Sequence, residues 1–245
     1  MDLATLISKG LVGPLTAPPP REAAFPYGLG RHGLHEIAET GYGDRAAITG
    51  FLLATAPRPS RKTILLWVTQ ASTARDMGRL PEAALREATG GQARRLGLVT
   101  RHAGDALWAV EEAVVSGAVS HVIAEVDAAD FTATRRLTLA SERHGVPVTL
   151  LLPHTCEGAT AALTRWRISP QPSAPNRYDP RAPGHARWRA HLERCRPAPT
   201  LVGQAFDLEW NDETLSLDMV SGMAAGPSAP RQAPYPSGYT NRKAS

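Results

Sequence analysis

Gly33-Leu-His-Glu-Ile-Ala-Glu-Thr-Gly-Tyr-Gly-Asp-Arg-Ala-Ala-Ile-Thr49 is the stretch on which the fold turns. It sits where a nucleotide-binding chain carries its phosphate loop, between an apolar run and the helical spacing of Ile48, Phe51 and Leu52. A loop that grips phosphate reads Gly-x-x-x-x-Gly-Lys-Ser/Thr. Its glycines let backbone N–H groups approach the phosphates, its lysine neutralises them and its hydroxyl holds magnesium. Laid on that frame, Glu39 and Asp44 take the glycine positions, Arg45 the lysine and Ala46 the hydroxyl. Each carboxylate repels phosphate and adds a Cβ where the loop needs room, Ala46 has no oxygen for a metal, and only the charge survives, in Arg45. Taken alone, these residues read as an ordinary strand-to-helix turn with Gly41 and Gly43 making the bend; the alternative is a phosphate loop stripped of its ligands.

Outward from this loop the chain alternates strand and helix. Thr63–Thr69 (Thr-Ile-Leu-Leu-Trp-Val-Thr) is a continuous apolar, branched run of strand length, the mark of a strand covered on both faces. Pro81 opens a short helix through Leu85, Leu96–Thr100 is a second strand, and Ala106, Leu107, Val110, Ala113 and Val114 give an amphipathic helix ending near Gly117. Val122–Val126 is a third strand, Thr132–His144 a helix closed by Gly145, and Val146–Leu152 a fourth strand stopped by Pro153. Such alternation predicts an α/β fold with a mostly parallel, doubly wound sheet.

Both ends depart from that rhythm. Residues 1–32 hold an apolar helix suggested by Leu3, Leu6 and Ile7, then a proline-rich arm; the core is expected to span 33–169. Residues 170–184 read as a linker and 185–220 as a β extension. There Arg187-Trp-Arg alternates with apolar positions, and Asn211-Asp-Glu turns a hairpin; the glycine-, proline- and serine-rich 221–245 reads as a disordered tail.

Composition excludes several classes. No run approaches the roughly 20 apolar residues of a membrane helix, and no secretory leader pattern opens the chain, so a cytoplasmic protein is expected. Cys156 and Cys195 stand apart with no partner motif, so neither a zinc site nor a disulfide framework is indicated, and no cofactor is called for. A net charge of +4, carried mainly by arginine, permits an acidic or nucleic-acid partner without requiring one.

Single residues sharpen this. In Arg165-Trp-Arg167 the strand period sets both arginines on one face, suited to phosphate or carboxylate, with Trp166 in the core. Arg187 and Arg189 flank Trp188 in the same way. Arg135 and Arg136 are helical neighbours, about 100° apart, so at least one faces solvent. These arginines, with Trp188 and Trp210 as anchors, are the candidate partner or DNA contacts. His154 and Cys156 share one loop with no orienting third group, which argues against a Cys–His nucleophile; His121 reads as a core or edge histidine.

Gly33–Ile37, together with Ala106–Val126, resembles the phosphate-loop strand and the helix-to-acid strand of the RecA superfamily, over roughly residues 33–168. More narrowly, Gly-Leu-His-Glu, Ala106–Ala113, Thr132–Glu142, Thr164–Ile168 and the strands beyond are similar to the ImuA family of bacterial inducible mutagenesis cassettes. The resemblance implies a RecA-like P-loop core in which Glu125 stands at the magnesium-binding acid and Gln70 at the position of the water-activating glutamate. Gln70 is no base at neutral pH. The segments matching the two DNA-binding loops, Asp127–Phe131 and Pro153–Ala161, are short. A degenerate site of Glu39, Gly41, Gly43, Asp44, Arg45, Ala46, Gln70 and Glu125 is thus expected, with no catalytic residue, no metal and no ATPase activity.

What the resemblance implies instead is an accessory role in SOS-induced, error-prone translesion DNA synthesis. The expected partners are an ImuB-like protein and a DnaE-type error-prone polymerase, with RecA as a further one. DNA contact is expected to be indirect, and nucleoid association to follow DNA damage. Two other readings stay open at this point: a SulA-like division inhibitor that binds a tubulin-like protein, and a RecA-like ATPase with a variant loop.

Overall fold

The computed structural model describes residues 25–56, 64–88, 94–179, 181–211 and 216–220. The N-terminal helix, most of the proline-rich arm, the tip of the last hairpin and the glycine- and proline-rich tail lie outside them.

A nine-stranded sheet carries the fold, in the order β3-β2-β4-β5-β1-β6-β7-β8-β9. Its parallel part is β1 (Leu34–Glu39), β2 (Ile64–Gln70), β3 (Arg94–Thr100), β4 (His121–Glu125), β5 (Val148–Leu152) and β6 (Thr164–Gln171). Then β7 (Arg187–Cys195), β8 (Ala205–Asn211) and β9 (Ser216–Met219) continue the same sheet antiparallel. Residues 170–184, read from composition as a linker, begin inside β6 and join two neighbouring strands. Their chain folds tightly: a Cβ at Gly184 would lie 2.3 Å from the Ala174 carbonyl oxygen.

Helices cover both faces. On one lies α1 (Arg45–Thr55), whose Ile48, Phe51 and Leu52 pack with Ile37, Trp67, Ile123 and Trp166. Trp166 is fully buried, ringed by Phe25, Tyr27, Phe51 and Phe206 at centroid distances of 5.6–6.0 Å. The other face is covered by α4 (Ala103–Ser116) and α5 (Phe131–His144), packed on Val68, Val122, Ala124, Val148 and Leu150. Two short helices, α2 (Ala71–Asp76) and α3 (Glu82–Ala88), follow β2. Local chemistry sets the ends of the long helices. The Asp130 carboxylate accepts from the Ala133 amide at 2.7 Å at the start of α5, and Gly117 and Gly145 take the left-handed conformation that closes α4 and α5. No helix among the described residues is long and apolar enough to cross a membrane.

The interior strands β2, β4 and β5 are buried on both faces, which is why each reads as mostly apolar rather than alternating. β3 is the edge strand of the parallel part and is mostly exposed, so it tolerates Arg94 and Arg95 at its start.

Candidate functional site

β1 lies inside the sheet between β5 and β6, and its last residue, Glu39, feeds the loop Thr40–Asp44 into the N-terminus of α1. In open α/β sheets this carboxyl edge is where ligands bind. The loop is closed by its own aspartate. The Asp44 carboxylate accepts from the Gly41 amide at 2.9 Å, the Asp44 amide donates to the Gly41 carbonyl at 3.2 Å, and Gly43 supplies the positive φ of +92°. Asp44 thereby sets a negative charge beside the helix N-terminus, the position an incoming anion would need.

Arg45 opens α1 and folds back onto the strand. Its Nε lies 2.8 Å from Glu39 Oε1, with 12% of the Arg45 side chain and 1% of that of Glu39 exposed. The approach is close but poorly aligned: Glu39 Oε1 and Arg45 Nε and Nη1 are buried without a directed hydrogen bond. His154, from the β5–β6 loop, brings Nδ1 to 4.0 Å from the other Glu39 oxygen and meets the exposed Tyr42 ring edge-on.

Glu125, the last residue of β4, accepts from Trp67 Nε1 at 2.5 Å. Arg45, by contrast, is held by Glu39. Burial raises the Glu125 pKa and Glu39 adds to the rise, while the Trp67 hydrogen bond and the charges of Arg45 and Arg95 oppose it. Gln70 is clasped by Asp127, donating to its carboxylate at 2.6 Å and accepting from its amide at 2.9 Å. Glu39, Arg45 and Glu125 thus come together on the α1 face, with Ala46 in the first turn of α1, while Gln70 faces a separate acid.

The candidate contact arginines are largely spent inside the chain. Arg165 and Arg167 do share a face, but it is the covered one. Arg165, 6% exposed, donates to Glu36 at 2.6 Å and to the Gly158 carbonyl at 2.8 Å, and Thr160 satisfies the other Glu36 oxygen at 2.7 Å. Arg167 pairs with Glu193 and donates to the carbonyls of Glu39 (2.9 Å), His154 (3.1 Å) and Cys156 (3.1 Å), tying β1, the β5–β6 loop and β7 together. Arg187 and Arg189 pair across the strands with Glu209 and Asp207 at 2.7 and 2.8 Å. Trp188 is no surface anchor: it is 7% exposed and packs against α1, where a Cβ at Gly50 would lie 3.1 Å from its ring. Trp210 is half-buried at the edge of the same core. Arg135 and Arg136 are both exposed, and Arg136 pairs with Glu111. Burial raises the Cys156 thiol pKa, only partly offset by Arg165 and Arg167, so it is a poor nucleophile.

Glu36, Trp67, Asp127 and Glu193 escaped the sequence reading. The signal for Glu36 is an acid flanked by apolar positions inside a strand covered on both faces, which needs a buried partner.

The fold and site define an α/β protein with a mixed, mostly parallel sheet and a strand–loop–helix site whose charges are satisfied from within. The chain is similar to Protein ImuA of Caulobacter vibrioides. In strain NA1000 / CB15N the two are 36% identical over 115 residues, covering 42% of this chain and 46% of that protein, and the protein of strain ATCC 19089 / CIP 103742 / CB 15 matches equally. The chain therefore spans about half the length of the curated relatives it matches. No family model matches it.

Proposed function

We propose that this chain is a RecA-like protein without nucleotide chemistry, an accessory in damage-induced, error-prone DNA synthesis that works by contact with an ImuB-like protein and a DnaE-type polymerase. The observation that carries the reading is Arg45, which stands at the lysine position of the phosphate loop but is drawn back onto Glu39 and buried there. Extending it toward a phosphate would leave Glu39, 1% exposed, as an uncompensated buried charge, a penalty of roughly 3–5 kcal/mol. Asp44 and Glu125 would repel the same ligand, and Ala46 offers no hydroxyl to a metal. The position of β1 inside a mostly parallel sheet supports the RecA-like reading, as does the similarity to Protein ImuA. A RecA-shaped subunit of this kind docks on a partner or a filament end without propagating a filament.

Two measurements test this. Millimolar Mg-ATP is expected to leave the melting temperature unchanged; a ligand at 100 times its Kd would add about 2.7 kcal/mol, a rise of roughly 5–10 °C. Such a rise, or phosphate release above the buffer rate, overturns the non-catalytic assignment. Affinity capture is expected to recover the ImuB-like and polymerase subunits. Recovery of a tubulin-like division protein in their place overturns the pathway.

A further inference from the structure

The outer face of the α4/α5 layer leaves large apolar side chains in water: Trp108 (61% exposed) and Val115 (49%) on α4, Phe131 (47%) and Leu139 (55%) on α5. They are not scattered. Trp108 and Val115 are two turns apart, opposite the Ala106, Val110 and Val114 that α4 buries, and Phe131 and Leu139 stand two turns apart on α5. Between Trp108 and Val115 lies the exposed Glu112, and α4 has no basic residue at all. Between Phe131 and Leu139 lies the exposed Arg135, with Arg136 and Arg143 on the same helix. Among the described residues neither Glu112 nor Arg135 makes an ion pair, whereas Arg136 binds Glu111 and fixes the helices side by side. Both helices return from parallel strands of one sheet, so they run in the same direction.

One protomer therefore presents an apolar–acidic–apolar stripe beside an apolar–basic–apolar stripe. We propose that this layer is the interface of a homodimer in which α4 of each subunit lies on α5 of the other, about a twofold axis parallel to the helices. Such an axis exchanges the two helices and preserves their direction, so Glu112 meets Arg135 of the partner subunit twice and apolar positions meet apolar ones. The other in-plane axis sets α4 on α4 and brings Glu112 toward its own copy, which is repulsive. A partner of a single charge sign would complement only one of the helices; a second copy complements both. Each helix is 14 residues, about 21 Å long, so the contact is small and reversible.

Sedimentation equilibrium on the full chain tests this with charge exchange. The unmodified protein is expected to show a concentration-dependent monomer–dimer equilibrium. Glu112→Arg and Arg135→Glu, each alone, place like charges opposite one another and are expected to weaken the dimer at least about tenfold, equivalent to about 1.4 kcal/mol. Mixed one to one, the two variants restore both contacts and are expected to form a heterodimer with an affinity within a few-fold of the original. Both positions are solvent-exposed, and recovery in the mixture shows that the variants are folded. A chain that stays monomeric at hundreds of micromolar, single variants that dimerise as well as the original, or a mixture that does not associate overturns the proposal.

Discussion

Acidification from about pH 7 to about pH 5 is expected to cost the fold about 4 kcal/mol through two histidines, His35 and His121. His35 is fully buried on β1, with Nδ1 2.8 Å from Thr164 Oγ1, and burial lowers its pKa to about 3, opposed by a hydrogen bond to the His32 backbone and helped by the charge of His121. His121 on β4 lies 3.1 Å from Thr149 Oγ1, and burial lowers its pKa to about 4. In the unfolded chain both titrate near about 6.5. The folded pKa values are depressed, so the folded state disfavours the proton. Stability is complete above the unfolded pKa and is lost as pH falls from there toward about 4 for His121 and about 3 for His35. At about pH 5 an unfolded histidine is roughly 97% protonated and a buried one about a tenth or less, so each contributes a loss of about 2 kcal/mol. Glu125 acts in the opposite direction, because its raised pKa lets the folded state gain a proton over part of the same range. The informative quantity is therefore a difference between proteins. Urea unfolding of the original and of His121→Gln, whose amide keeps a bond to Thr149 within reach, should show the variant losing about 2 kcal/mol less between the two pH values, with equal m-values. An identical pH response in both proteins would refute the assignment of buried, neutral imidazoles.

Arg165→Met leaves Glu36 as an unpaired charge at 0% exposure and is expected to destabilise by roughly 3–5 kcal/mol in urea titration, much of it recovered when Glu36→Leu is added. Gly184→Ala drives a methyl group to 2.3 Å from the Ala174 carbonyl and 2.8 Å from that of Pro175; a loss of about 1–3 kcal/mol is expected, and no change in unfolding midpoint would mean the β6–β7 connection relaxes freely.

The parallel half of the fold was legible because its strands are covered on both faces. Burial on both sides makes β2 and β5 mostly apolar rather than alternating, and Gly117 and Gly145 mark the ends of α4 and α5 without any knowledge of the partner elements. What periodicity lacks is the sign of a face. Strand spacing set Arg165 and Arg167 together correctly, but whether that face meets water or a helix depends on α5 and the β5–β6 loop. The partner Glu36 lies 129 residues earlier, beyond the reach of any local pattern. The same blindness made Trp188 an anchor on paper and a core residue in the fold. A helix as short as α2, six residues, falls short of two turns and so shows no repeating apolar face, and an edge strand such as β3 hides its start behind arginines. For the site, sequence supplied the members Glu39, Arg45 and Glu125 but not their partners, since Trp67 reaches Glu125 only once β2 and β4 lie side by side.

The interior place of β1 also dictates when the protein assembles. Its two neighbours, β5 at Val148–Leu152 and β6 at Thr164–Gln171, are made more than a hundred residues after it. At about 5–20 residues per second, the ribosome leaves both edges of this strand unpaired for roughly 6–20 s. Throughout that interval an apolar strand carrying His35, Glu36 and Glu39 has none of the groups that later neutralise it, apart from Arg45. Arg45, six residues after Glu39, is thus the partner made alongside the most central strand, while Thr160, Thr164 and Arg165 arrive only with the rest of the sheet.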